Sequence, residues 1–86
     1  MRVIFAEEAW KEYMNWHTED KKTLNKINKL IQDILRNGFT KGIGKPEALK
    51  HRKGYSRRID EANRLEYDGD SEQNLVILSC KDHYNN

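Results

Sequence analysis

The sequence predicts an α+β fold in which a short strand, two helices and four further strands follow one another, β-α-α-β-β-β-β. Three observations predict it. Leu24, Ile27, Leu30, Ile31, Ile34 and Leu35 recur at i, i+3, i+4 and i+7, the apolar stripe of an amphipathic helix. Tyr55-Ser56-Arg57-Arg58-Ile59 and Arg64-Leu65-Glu66-Tyr67, separated by a polar break, read as two neighbouring antiparallel strands. Leu75-Val76-Ile77-Leu78 is a continuous apolar run, expected of a strand that is central or covered on both faces.

Taken in order, Arg2 to Phe5 is the first strand, and Glu7 or Glu8 opens the first helix with acidic residues where the helix dipole favours them. Trp10, Tyr13, Met14 and His17 recur at helical spacing and are expected as its apolar face, with His17 a partner for the C-terminal end of the dipole. Asp20 caps the second helix, Lys21, Lys22, Lys26 and Lys29 form its polar face, and Asn37-Gly38 closes it as a left-handed cap would. Lys41-Gly42-Ile43-Gly44-Lys45-Pro46 is expected as a flexible connector, because it lacks the Lys-Ser/Thr pair of a phosphate-cradling loop. Glu47 to His51 alternates as a short strand with Glu47, Leu49 and His51 on one face; Arg52-Lys53-Gly54 then turns the chain. Asp68 to Gln73 is a second turn, before a last strand from Asn74 to Cys80.

The 86 residues, 36% hydrophobic and 35% charged, suffice for one domain with a modest core, residues 1–86. A substrate is therefore expected on an open surface, with no enclosed cofactor pocket. No apolar run approaches the roughly 18 residues of a membrane span. Met1-Arg2 leads directly into Val3-Ile4-Phe5, so no signal peptide and a cytoplasmic location are expected. Cys80 has no second cysteine for a disulfide or a thiolate metal site and is expected to pack in the core.

The net charge of +2 conceals a segregation: residues 21–40 carry five basic and one acidic side chains and residues 41–64 carry eight and three, while both ends are acidic. A polycationic middle is the footprint of a polyanion partner, most often nucleic acid. Alternation refines its location. Ser56 and Arg58 share one strand face, with Tyr55, Arg57 and Ile59 on the other; Leu65 and Tyr67 point to a core, and Arg64 and Glu66 to the open side. The simplest alternative is a set of solvated charges on an exposed sheet.

Lys45-Pro46-Glu47-x-Leu49-Lys50, Tyr55-Ser56-Arg57-Arg58-Ile59, Asn63-Arg64-Leu65-x-Tyr67 and a terminal His83-Tyr84 together resemble the Txe/YoeB family of toxins in the RelE-like superfamily. Phe5-Ala6-Glu7-Glu8-Ala9-Trp10 and Lys26-Ile27-Asn28-Lys29-Leu30-Ile31 extend the resemblance over essentially the whole chain. It implies a RelE-like, microbial RNase-like fold, two N-terminal helices packed on a twisted antiparallel β-sheet. It also implies a toxin of a toxin–antitoxin system that cleaves messenger RNA in the ribosomal A site. The implied partners are mRNA, the ribosome and a YefM/Axe-like antitoxin, with a homodimer as a further form and operator DNA met only through the antitoxin complex.

Metal-independent RNA cleavage needs a base for the 2′-hydroxyl, positive charge for the phosphorane and an acid for the departing 5′-oxygen. Beside the resemblance, Glu47 is the fitting base and His83 the fitting acid, an imidazole being able to hold or release a proton near neutral pH. Arg64 would stabilise the transition state, with Arg58, Lys50, Lys45 and Arg57 as phosphate or RNA contacts and Tyr84 as a positioning group. The scheme uses no cofactor and no metal, and gives 2′,3′-cyclic phosphate and 5′-hydroxyl ends. Each residue has a plainer alternative: Glu47 a loop cap, Lys50 surface charge, His83 and Tyr84 an unpacked tail. A catalytically silent nucleic-acid-binding module or co-repressor is the competing function. The chain departs from the family at a turn in which Tyr55 directly follows Gly54, at Asn85-Asn86 beyond Tyr84, and at Glu66, where the family is usually apolar. Glu66 is expected beside Arg64 as a modulator that pairs with it or partly cancels its field.

Overall fold

The computed structural model describes residues 1–82. Helix α2 spans Lys21–Asn37 and carries the apolar stripe expected of it. Asp20 caps it: one carboxylate oxygen accepts from the Lys22 and Thr23 backbone amides at 3.0 and 3.4 Å, the other from the Thr23 hydroxyl at 2.9 Å. The Thr23 bonds hold this carboxyl below its ordinary range. Thr23, Leu24, Ile27, Leu30 and Ile34 form the buried stripe, while Leu35 lies outside it. Gly38 ends the helix with φ 94 and ψ −176: the positive φ suits glycine, but the backbone is extended rather than left-handed helical.

Helix α1, Glu7–Glu19, forms where expected but turns a different face inward. Ala9 and Trp16 are buried, whereas Trp10 and Met14 are 48% and 45% exposed. The end of the last strand sets this rotation. Glu12 accepts from the Cys80 amide at 2.8 Å and the Trp16 indole donates to the Cys80 carbonyl at 2.9 Å, so positions 9, 12 and 16 face the sheet. Phe5, Trp10, Tyr13 and His17 instead form a row of ring contacts with centroids 4.9–5.9 Å apart. His17 also bonds the Tyr13 carbonyl at 3.0 Å, in the last helical turn.

Five strands, β1 (Val3–Phe5), β2 (Glu47–Ala48), β3 (Tyr55–Arg58), β4 (Arg64–Gly69) and β5 (Leu75–Ser79), form one sheet in the order β1-β5-β4-β3-β2. All neighbours are antiparallel except β1, which pairs parallel to β5, so the sheet is mixed. A parallel pair cannot be joined by a tight turn, and both helices lie in the chain after β1. The helices cover one sheet face. Between them lie Ala9, Trp16, Ile27, Leu30, Ile34, Leu65, Tyr67, Leu75, Ile77 and Cys80. Burial pushes the Cys80 thiol up to about 12, in keeping with a packing role. No helix among the described residues is long and apolar enough to cross a membrane.

Candidate active site

Alternation sends Leu65 and Tyr67 into the core and leaves Ser56, Arg58, Arg64 and Glu66 on the face away from the helices. Register decides who meets whom there. Glu47 opposes Ser56 across β2 and β3, Ser56 opposes Glu66 across β3 and β4, and Arg58 opposes Arg64. Opposed residues on one face are about 4.5–5.5 Å apart, so these side chains form a continuous patch.

Arg64 is its centre. One of its terminal nitrogens donates to Glu47 Oε1 at 3.2 Å and to Ser56 Oγ at 3.1 Å, joining three strands through one guanidinium. The Arg64 side chain is 15% exposed and the Glu47 side chain 61%, so the cation is sunk in the sheet while the carboxylate reaches into solvent. An ion pair with one exposed member contributes only about 0.2–1 kcal/mol and is easily exchanged. Lys45, Lys50 and Arg58 are exposed on the same part of the chain. Lys45 has φ 52, a left-handed conformation held immediately before Pro46 and Glu47.

Arg57, expected to contact RNA, does not reach this face. It is fully buried on the helix side, and all five of its N–H groups are used. Nε donates to the Tyr67 hydroxyl, Nη1 to Asp33 Oδ2 and the Ile43 carbonyl, and Nη2 to the Gly38 and Lys41 carbonyls. Its strand position shares a face with Ile59, and Asp33 of α2 lies opposite to neutralise it. The Arg57 hydrogen bond holds the Asp33 carboxyl below its ordinary range against a smaller effect of burial. The glycine loop is consequently not a flexible connector. A Cβ on Gly42 would stand 1.8 Å from Asp33 Oδ2, and one on Gly44 2.8 Å from Leu30. Both glycines let the loop close over Arg57, and the Arg58 amide bonds Gly44 at 2.7 Å. The loop thereby delivers Glu47 to the sheet.

Glu66 also departs from expectation: its carboxylate bonds Arg52 Nη2, not Arg64. The sequence marks Arg52 only as part of a turn and Asn63 only as part of the Asn63-Arg64-Leu65-x-Tyr67 motif, with no role at the site for either. The Asp82 amide donates to Asn63 Oδ1 at 2.7 Å, and the Arg64 amide donates to the Asp82 carbonyl at 3.2 Å. Asp82 is thus tied to the residue that holds Glu47. His83 and Tyr84 lie outside the described residues. Beyond that motif, the sequence signal for Asn63 is its place next to Arg64 after a turn, where Asp60 accepts from the Ala62 and Asn63 amides. Among the described residues no group of three or more His, Cys, Asp or Glu side chains could hold a metal ion.

Comparison with known proteins agrees over nearly the entire chain. Residues 5–84 match the family described as the YoeB-like toxin of bacterial type II toxin–antitoxin systems. Toxin YoeB of Streptomyces coelicolor is 46% identical over 86 residues, covering 98% of this chain and 100% of the relative. A YoeB dimer structure from Staphylococcus aureus has a TM-score of 0.89 at 43% identity, with 98% of each chain covered. The heterotetrameric YoeB–YefM complex from the same organism gives 0.87 at 43% identity, again with 98% of each chain covered. Since the family match spans residues 5–84 and the Streptomyces relative is covered over its whole length, the chain belongs to the YoeB-like toxins of bacterial type II toxin–antitoxin systems.

Proposed function

We propose that this toxin is a metal-independent endoribonuclease that cuts messenger RNA in the ribosomal A site and so inhibits translation. The observation that carries the reading is the contact of Arg64 with Glu47 and Ser56, a carboxylate and a guanidinium 3.2 Å apart on an open face. The incoming phosphate displaces the exposed Glu47 from Arg64, which costs little because the pair is weak. Glu47, released, takes the proton of the 2′-hydroxyl. The 2′-oxygen attacks the adjacent phosphorus and the bond from phosphorus to the 5′-oxygen breaks. His83 protonates that leaving oxygen and Tyr84 positions the group, giving a 2′,3′-cyclic phosphate and a 5′-hydroxyl. Arg64, with Arg58, Lys50 and Lys45, takes up the charge that grows on the phosphoryl oxygens.

The ribosome enters because a small open site orients RNA poorly by itself, and holding the reacting atoms in line is worth several kcal/mol. A YefM-like antitoxin is the proposed partner, as in the Staphylococcus aureus complex, with an acidic segment that folds over the basic face. A homodimer is the further form, and operator DNA is met through the antitoxin complex.

The test is cleavage of a defined message on programmed ribosomes, with analysis of the product ends. Cyclic phosphate and 5′-hydroxyl ends, with free message cut poorly, are expected. Ends of 3′-hydroxyl and 5′-phosphate type, or salt-sensitive RNA binding without any cleavage, would overturn the reading; the latter is the signature of a silent binding module.

A further inference from the structure

Ser56 lies between two carboxylates, Glu47 one strand away on β2 and Glu66 one strand away on β4. The two differ in environment: the Glu47 side chain is 61% exposed, the Glu66 side chain 8%. Arg64 is two residues from Glu66 on the same strand face and already bonds Ser56, Glu66's cross-strand partner. Charge attraction strengthens as water is excluded, so Glu66 should be the stronger competitor for this guanidinium. Yet Arg64 bonds Glu47. Glu66 is instead occupied by Arg52, which reaches in from the turn between β2 and β3 with its own side chain half exposed.

We propose that Arg52 is a positioning residue of the candidate reaction: by neutralising the buried Glu66 it keeps that carboxylate from capturing Arg64, so that Arg64 stays exchangeable between Glu47 and the substrate phosphate. The proposal rests on the nuclease reading of the Glu47–Arg64 site. A guanidinium held by a buried carboxylate would give up its partner reluctantly when phosphate arrives. Arg52 on this account acts through Glu66, and its removal does harm only while Glu66 is charged. If Arg52 were simply one more phosphate contact, the state of Glu66 would not matter.

The experiment is a cycle of Arg52→Ala, Glu66→Gln and the double variant in the full chain, read by cleavage on programmed ribosomes and by the Arg64 side-chain Nε–Hε NMR resonance. Arg52→Ala should lower kcat by roughly 10-fold to 100-fold, the scale of a misplaced catalytic group. In the Glu66→Gln background the same change should cost less than about 3-fold, within ordinary additivity error. Arg52→Lys, which keeps a cation for Glu66, should retain most of the activity. The Arg64 resonance should move in Arg52→Ala and return in the double variant. An equal loss in both backgrounds, or an Arg64 resonance that Arg52→Ala leaves in place, would overturn the proposal. Inactivity of the unaltered protein would sink the nuclease reading instead, and the resonance alone would then decide the role of Arg52. The Glu66→Gln background leaves no buried charge behind, so it separates repositioning from a failure to fold.

Discussion

Arg57 and Arg58 are adjacent and do opposite work. Arg57, with every N–H bonded and no exposure, is a structural clamp, while Arg58 is exposed beside Arg64 on the open face. Arg57→Ala should lower stability by roughly 3–5 kcal/mol, the cost of breaking a buried, hydrogen-bonded pair. Arg57→Lys should recover little, three donors being too few for its partners. Arg58→Ala should stay within about 0.5 kcal/mol of the unaltered protein in stability and weaken RNA binding instead. Denaturant midpoints and binding isotherms separate the two, and a reversed pattern would show that the faces are wrongly assigned. At the centre of the site, Glu47→Gln should lower turnover roughly 10²-fold to 10⁴-fold with little change in RNA affinity. Steady-state kinetics showing the loss in KM alone would contradict a role in proton transfer. Alternation was enough to separate Arg58 from Arg57 by face. It could not show that Arg57 is satisfied, because its acceptors at Asp33, Gly38, Lys41 and Ile43 are remote in sequence and assembled only by the fold.

In the loop between α2 and β2, composition misleads about the part glycine plays. Two glycines and two lysines resemble a flexible linker in composition, but here glycine is required by close approach to Asp33, Arg57 and Leu30. Helix α1 departs from its spacing pattern for a related reason. Glu12, a charged residue, lies on the inward face because it serves the Cys80 amide, and no hydropathy pattern marks that. These carboxylates bear on pH dependence in opposite directions. Asp33, with an ordinary value of 3.8, is lowered by its Arg57 bond, so its contribution is present above that value and lost as pH falls through the folded-state value. Glu12, with an ordinary value of 4.5, is raised chiefly by burial, so its contribution is present below that value and lost as pH rises through the folded-state value. Asp33→Asn should therefore be less stable than the unaltered protein at neutral pH, with the gap closing as the pH falls below about 3.8. A gap in urea midpoint that stayed constant from neutral pH into acid would show that the charge of Asp33 contributes nothing.

For the whole molecule, element order was legible because helical and strand periods are local, whereas sheet order was not. The parallel seat of β1 beside β5 joins residues 3–5 to residues 75–77, a pairing no local pattern encodes. The charge segregation was also only half informative. Its basic middle divides between the open face, with Arg58 and Arg64, and helix α2, where Lys21, Lys22 and Lys29 are exposed. Those helix lysines are not part of the Arg64 patch. Replacing all three with glutamine should lower the salt dependence of ribosome association while leaving turnover at saturation within about 2-fold, since steering acts on encounter rather than chemistry. A large fall in saturated turnover would place the helix in the reaction. The central claim is that Glu47 and Arg64 serve attack by the 2′-oxygen, and the most direct measurement is single-turnover cleavage of a ribosome-bound message carrying one 2′-deoxynucleotide at the scissile position. The account predicts that this substitution abolishes cleavage at that bond while binding persists, and undiminished cleavage there would contradict it.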